Sequence, residues 1–193
     1  MDFHQAFIGV IGAFAAVRVY FNTRARLGRG RVEYREGERH KIVRIVLGVG
    51  YMTAIVAYLI DPSLFAFMAF PLPDEIRILG LLLSLVGLAF LAWVHHHLGV
   101  NFSARLHLRQ EHELITSGPY HRVRHPMYTA FYLSLLGWLL LSANFVIGGL
   151  GLLGVTAVVV NRVAREEATM RERFGATYDA YLARTRRFVP GLL

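Results

Sequence analysis

The chain has 193 residues, 55% of them hydrophobic and only 18% charged, with a mean hydropathy of +0.43. So apolar a balance excludes an ordinary soluble domain of this length and makes the membrane the first hypothesis. The formal charge of +8 raises nucleic acid as a partner, while the absence of cysteine excludes disulfides, thiolate nucleophiles and Cys-based zinc sites.

A bilayer core of roughly 30 Å takes about 20 mainly apolar helical residues, with shorter spans tolerated where the ends are anchored. The first such segment, 5–22, follows an N-terminus, MDFHQAF, that lacks the basic leader of a cleaved signal, so it is expected to be retained. Arg18, near the cytoplasmic end of that segment, is expected to snorkel to the headgroups. A second span covers 42–60 and a third 76–94, with the loop DPSLFAFMAFPLPDE between them. A fourth, at roughly 127–142, and a fifth, at 145–162, are one apolar run broken only at Ser142-Ala143-Asn144, which predicts a tight turn and a helical hairpin. Gly148, Gly149, Gly151 and Gly154 lack strict GxxxG spacing and are expected to serve helix packing.

Lys and Arg number 8 in residues 24–44, none in 61–75, 4 in 95–127 and 7 in 162–193. These 19 of the 21 basic residues all fall on one face of a five-span chain; Arg18 and Arg77 are the other two. The positive-inside rule then puts the N-terminus outside and the C-terminus in the cytoplasm, and nucleic-acid binding has little left to explain. The expected fold is all-α: a polytopic protein of the cell membrane with five transmembrane helices, the last two a helical hairpin, and a C-terminal amphipathic cytoplasmic helix. It is read as one domain, 1–193, in which 1–94 supply three spans and 95–193 carry the chemistry.

The cytoplasmic stretch 95–127 is rich in reactive groups, among them His95, His96, His97, His107, His112, His121 and His125 alongside Arg105, Arg122 and Arg124. Consecutive helical residues point about 100° apart, so His95, His96 and His97 cannot share one ion without partners from elsewhere, and no metal is expected. HELITSGPYHRVRHPMY, residues 112–128, closes the stretch. Ser117-Gly118-Pro119 signals a turn, and Pro126 suits the first turn of the helix opening the fourth span, where its missing N–H costs nothing. Two readings stay open on the residues alone. In one, Arg122 and Arg124 contact lipid phosphates, His125 caps the helix, and Tyr120 and Tyr128 join an aromatic belt. In the other, Gly, Pro, two Tyr and RHP within eleven residues form part of a site.

Residues 162–182 place Val163, Met170, Phe174, Tyr178 and Tyr181 at helical spacing, an amphipathic helix continuing from the fifth span, with Glu167 on the same stripe. Glu166 is one turn beyond Arg162, so the two share a face. Carboxylates at that depth are expensive unless paired, which favours a ligand cation or the arginines before the fourth span as partners; simple i,i+4 ion pairs on a solvated face are the alternative.

Taken together, HELITSGPYHRVRHPMY, the apolar hairpin and EEATMRERFGATYDAYLARTRRFVP resemble the isoprenylcysteine carboxyl methyltransferase family and its phospholipid N-methyltransferase relatives. The shared pattern is RHPxY, then EE, FGxxYxxY and a TxR…P ending, over about 80 residues from Glu111 onward. The resemblance implies an integral membrane enzyme that uses S-adenosylmethionine, releasing S-adenosylhomocysteine, with the cofactor in a cytoplasmic pocket under the C-terminal helix. By matching position, His112, Glu113, Leu114 and Ile115 would line the adenosine end. Tyr120, His125, Pro126, Met127 and Tyr128 would surround the rest. Glu166, beside Glu167, would hold amino or ribose groups, and Arg162 would face the acceptor. Arg105 stands where some members have a cofactor-touching glutamine, and no role is carried to it.

The expected reaction is methyl transfer to a membrane-embedded, amphiphilic acceptor, with an isoprenylcysteine-like carboxylate preferred. Lipid amine N-methylation is one alternative, with Glu166, Glu167 or His125 as base. NADPH-dependent reduction is another, because some sterol reductases share a related C-terminal arrangement. A membrane scaffold with basic loops for anionic lipids is the non-enzyme reading. The expected partners are a lipid-like or lipidated acceptor and membrane lipids, with no nucleic acid and no metal; the oligomeric state stays open.

Overall fold

Helices account for nearly every described segment of the computed structural model, which describes residues 1–27, 38–99 and 114–189. They are α1 (Phe3–Leu27), α2 (Glu38–Ile60), α3 (Asp74–Leu98), α4 (Pro126–Ser142), α5 (Leu150–Phe174) and α6 (Ala176–Arg184). Phe3–Ala25, Asp74–Leu98 and Phe145–Phe174 are long and apolar enough to cross a membrane. α2 runs into a 3-10 turn, Pro62–Met68, at a bend of 114°, and α4 is a shorter apolar helix of 17 residues.

The bend after α2 has a local cause. Asp61 adopts extended backbone and its carboxylate accepts from the Ser63 amide at 2.9 Å, while Pro62 opens the next turn. The Ser142-Ala143-Asn144 break behaves as its residues predict. Ala143 is left-handed (φ 49°), and Asn144 accepts from the Val146 amide at 3.0 Å while its side-chain nitrogen donates to the Phe65 carbonyl at 2.8 Å. A π-helical turn, Phe145–Gly149, then leads into α5, so α4 and α5 form the expected hairpin.

Lipid tails are as apolar as leucine, so burial from water cannot pull these helices together; close packing must. The seam between α3 and α4 shows how. Gly80, Ser84 and Gly87 recur at i, i+4 and i+7 on α3 and face Ser134, Gly137 and Leu141 of α4, and all are buried. A methyl group on Gly137 would fall 2.5 Å from the Ser84 amide nitrogen and 2.7 Å from the Gly80 carbonyl oxygen. The two backbones are thus nearly in contact. At the end of the seam near the α4 C-terminus Arg77 donates to the Leu141 carbonyl at 3.0 and 3.1 Å and lies 4.0 Å from the Phe3 ring, satisfying a carbonyl that the end of α4 would leave bare.

The remaining core gathers around Trp138, where Phe3, Phe7 and Val10 of α1 meet Ile55 and Tyr58 of α2 and Ile147 of the π-turn. Phe7 and Phe14 meet the indole edge-on at 6.3 and 5.0 Å. Leu47, Leu82, Val86, Leu153 and Val160 stay exposed, as lipid-facing positions do.

Two expectations are corrected. Arg18 does not reach outward for headgroups: its Nη1 lies 3.0 Å from His95 Nε2, and its guanidinium lies over the Phe131 ring at 5.5 Å. Turning inward lets a charge at this depth trade lipid for polar and aromatic partners on α3 and α4. The tail is not one continuous helix. α5 ends at Phe174, where Gly175 takes φ 51°, and α6 begins at Ala176.

Candidate functional site

The local sequence builds the site from three pieces: the turn before α4, the C-terminal third of α5, and the chain that follows α6. Pro119 is buried in a short 3-10 turn, Gly118–His121. Gly118 (φ 57°) is packed so closely on the His97 ring that a side chain there would clash, which seats the turn on α3. Pro126, buried at the first helical position, then starts α4 with His125 immediately before it. His97 also faces the Trp93 carbonyl at 3.1 Å, whereas His95 stacks on Phe21 at 5.1 Å, so the two histidines serve different neighbours.

Around His125 the expected residues converge. Its Nδ1 lies 3.6 Å from Glu166 Oε2 and its Nε2 3.4 Å from Glu167 Oε1. The Tyr128 hydroxyl donates to Glu166 at 3.1 and 3.3 Å. Arg162 Nη2 and Nε reach Glu166 Oε1 at 2.9 and 3.1 Å, the one-turn pairing read from the sequence. Glu167 also finds a partner among the arginines before α4, since Arg124 Nε donates to it at 3.1 Å. The two adjacent carboxylates differ in what holds them. Oε2 of Glu166 has the two longer contacts, to Tyr128 and His125, and a carboxylate oxygen can accept more. Glu167 is 8% exposed, and its oxygens also take Arg187 Nε at 3.2 Å and Nη2 at 2.8 Å.

Tyr120 is half-buried, and its phenol is pushed well above its usual range first by burial and then by the charges of Tyr181, Glu166 and Tyr128, so it faces the same cluster as a neutral hydroxyl. Leu114, Ile115 and Met127 are half-buried: the first two on the approach to the 3-10 turn, Met127 in the first turn of α4. His112, Glu113 and Arg105 lie outside the described residues.

The sequence reading missed the segment after α6. Residues 185–188 run beside the turn as a strap. Arg124 N donates to the Arg186 carbonyl at 2.7 Å, His125 N to the Arg187 carbonyl at 2.9 Å, and Arg186 N to the Arg122 carbonyl at 3.2 Å. The Thr129 hydroxyl donates to the Phe188 carbonyl at 2.8 Å, Tyr181 to the Tyr120 carbonyl at 2.7 Å, and Arg124 to the Thr185 carbonyl. Arg187 is pushed above its usual value, first by its hydrogen bond to Glu167. The TxR ending was visible in the sequence, but nothing local says that it pairs with residues sixty positions earlier.

Above the polar cluster, Tyr128, Val159 and Val163 pack with Phe131, Tyr132, Val155, Val158 and Phe188. Gly148 of the π-turn sits against Leu139 of α4, Gly151 of α5 against Leu135, and a hydrogen bond from Tyr132 to Thr156 (3.0 Å) links α4 to α5 further in. The arrangement offers carboxylates, phenols and an imidazole to a cationic, hydroxyl-bearing ligand, with an arginine at its edge.

Comparison with known proteins agrees with this picture. Residues 79–172 match the model of the isoprenylcysteine carboxyl methyltransferase (ICMT) family. A protein-S-isoprenylcysteine O-methyltransferase of Schizosaccharomyces pombe is 35% identical over 81 residues, which are 42% of this chain and 34% of that protein. The solved structure of the eukaryotic intramembrane Ras methyltransferase ICMT superposes with a TM-score of 0.58 at 18% identity, over 97% of this chain and 68% of the other. Sequence over the second half and fold over the whole thus resemble that family.

Proposed function

We propose that this chain, whose sequence and fold both resemble the isoprenylcysteine carboxyl methyltransferase family, transfers a methyl group from S-adenosylmethionine to the carboxylate of a membrane-embedded, isoprenylcysteine-like acceptor. The observation that carries the reading is the convergence of His125, Tyr128, Arg162 and Glu166 from two helices that the apolar hairpin separates in sequence. We read the chain as crossing the bilayer five times, α1 to α5, with the N-terminus outside and the site at the cytoplasmic leaflet.

The residues present fit the cofactor. Glu166 Oε2 suits its ammonium or ribose hydroxyls, Tyr120, Tyr128, Pro126 and Met127 its flanks, and Leu114 and Ile115, with His112 and Glu113 before them, its adenosine end. When bound, the cofactor supplies a methyl group already activated by the adjacent positive sulfur. What the protein adds is placement. Arg162, at the membrane end of the cluster, orients the acceptor carboxylate through its planar fork, while its pairing with Glu166 keeps it from neutralising that carboxylate completely. His125 and Tyr128 fix Glu166 from the α4 side. The apolar layer of Val159, Val163 and Phe131 excludes water, so a carboxylate held at attack distance is a desolvated nucleophile. The acceptor's lipid chain lies between α4 and α5, inside the Tyr132–Thr156 bridge.

Calorimetry with S-adenosylhomocysteine on the detergent-purified chain tests the reading. Binding is expected in the wild type, and Glu166→Ala and His125→Ala should each weaken it by roughly 100-fold with folding intact. Arg162→Ala should keep that affinity and lower turnover by roughly 100-fold. Turnover is read with radiolabelled S-adenosylmethionine and a membrane extract, the product being a base-labile ester. A base-stable product would indicate N-methylation, and NADPH binding in place of S-adenosylhomocysteine would end the methyltransferase reading.

A further inference from the structure

Glu167 and His125 were grouped by sequence as cofactor ligands, yet their contacts are unlike. Glu167 is enclosed by protein cations, Arg124 at 3.1 Å and Arg187 at 2.8 and 3.2 Å, and meets His125 Nε2 at 3.4 Å. The strap holds His125 in two further ways, through the His125 amide on the Arg187 carbonyl at 2.9 Å and the Phe188 ring 5.9 Å from the imidazole. From this geometry we infer that Arg187 is a positioning residue for the methyl-transfer site: acting through Glu167, it sets the orientation of His125, and so couples the C-terminal strap to the cofactor pocket. The inference rests on the proposed function.

The chemistry follows from what each ring nitrogen meets. The Glu167 carboxylate is shared between two guanidiniums and His125 Nε2, so its position, and with it that of the imidazole, is set from the strap as well as from the turn. On the other side Nδ1 faces Glu166, which Arg162 and Tyr128 also engage. Among the described residues, the charged and titratable groups around the ring are Glu166, Glu167 and Arg162 from α5, Tyr128 from α4, Arg124 from the turn and Arg187 from the strap; Tyr120, through Glu166 and Tyr128, and Tyr178 of α6, through Glu167, lie one step further out. Arg187 is distinctive among them: its side chain is half exposed, so a group at the surface reaches the pocket in two steps.

The test is nitrogen NMR of the full-length chain in detergent micelles with 15N-labelled histidine, His125 being assigned by its loss in His125→Gln. Removing the guanidinium in Arg187→Gln should shift the His125 ring nitrogen resonances at a fixed neutral pH. Arg187→Lys should restore most of the wild-type resonances, and the Arg187→Gln/Glu167→Gln double variant should match Glu167→Gln alone, because the route of Arg187 is gone. A strap that merely holds the fold would weaken stability without moving these resonances. Unchanged resonances in Arg187→Gln overturn the inference, as does an Arg187 effect that persists in the double variant. Should Arg187→Gln fail to fold, Arg187→Met takes its place, and unchanged resonances overturn the inference equally. Absence of S-adenosylhomocysteine binding in the wild type would refute the enzyme reading and leave the His125 resonances readable, so the two failures are distinct.

Discussion

The seam between α3 and α4 and the space between α4 and α5 use opposite means of joining helices. On one side of α4, Ser134, Gly137 and Leu141 meet Gly80, Ser84 and Gly87 backbone to backbone, with the charge of Arg77 placed at the end of the seam. On the other side the partners touch at Gly148 and are then linked through side chains, Tyr132 to Thr156 and Tyr128 to Glu166. Small residues make a contact that tolerates no change of volume. Long polar residues tie two elements together at their tips without bringing the backbones into contact. α4 thus has a structural face toward α3 and, toward α5, the face that carries the proposed site.

Changes on the structural face should have the largest effect on stability. Gly137→Leu must push the Ser84 and Gly80 backbones apart, and an unfolding loss of about 3 kcal/mol is expected by tryptophan fluorescence in detergent. A loss well below that would mean the seam can separate cheaply. An intermediate effect is expected for Arg124→Leu, which removes the hydrogen bonds to Glu167 and to the Leu182 and Thr185 carbonyls and should cost about 2 kcal/mol. It should also expose the end of the chain to protease while α1 to α4 stay protected, which would separate the two faces experimentally.

The smallest effect concerns pH. Burial, followed by the charge of Glu167, pushes Tyr178 up to about 12 from its ordinary 10.0. A raised phenol favours the folded state below pH 10, and that contribution is lost as pH climbs toward 12. Tyr178→Phe should remove up to about 1 kcal/mol of this alkaline dependence and leave stability at neutral pH little changed. An identical alkaline slope in the variant would show that the tyrosine does not sense the cluster.

Several features were legible because their cause is local. Apolar length marked α1 to α5, Ser142-Ala143-Asn144 marked the hairpin turn, Pro126 marked the start of α4, and one-turn spacing marked the Arg162–Glu166 pair. The packing role expected of the glycines around the start of α5 holds for Gly148, against Leu139, and for Gly151, against Leu135 and Tyr51, while Gly154 meets nothing; the Gly80, Ser84, Gly87 pattern was equally visible but was not assigned a partner. Small residues show that a close partner exists without saying which one it is.

What the sequence determined by itself was the class of molecule and the inventory of chemistry: helices sorted by hydropathy, basic residues gathered into a few segments, and a carboxylate pair and RHP motif flanking an apolar hairpin. Tertiary structure alone decided which of the adjacent carboxylates is enclosed by arginines, that Arg18 turns inward to His95, and that the strap at 185–188 lies against His125. The physical reason is range. Hydropathy, turn propensity and one-turn spacing act within a few residues, whereas the partners of a buried charge are chosen by which distant segments the packed helices bring within about 3 Å.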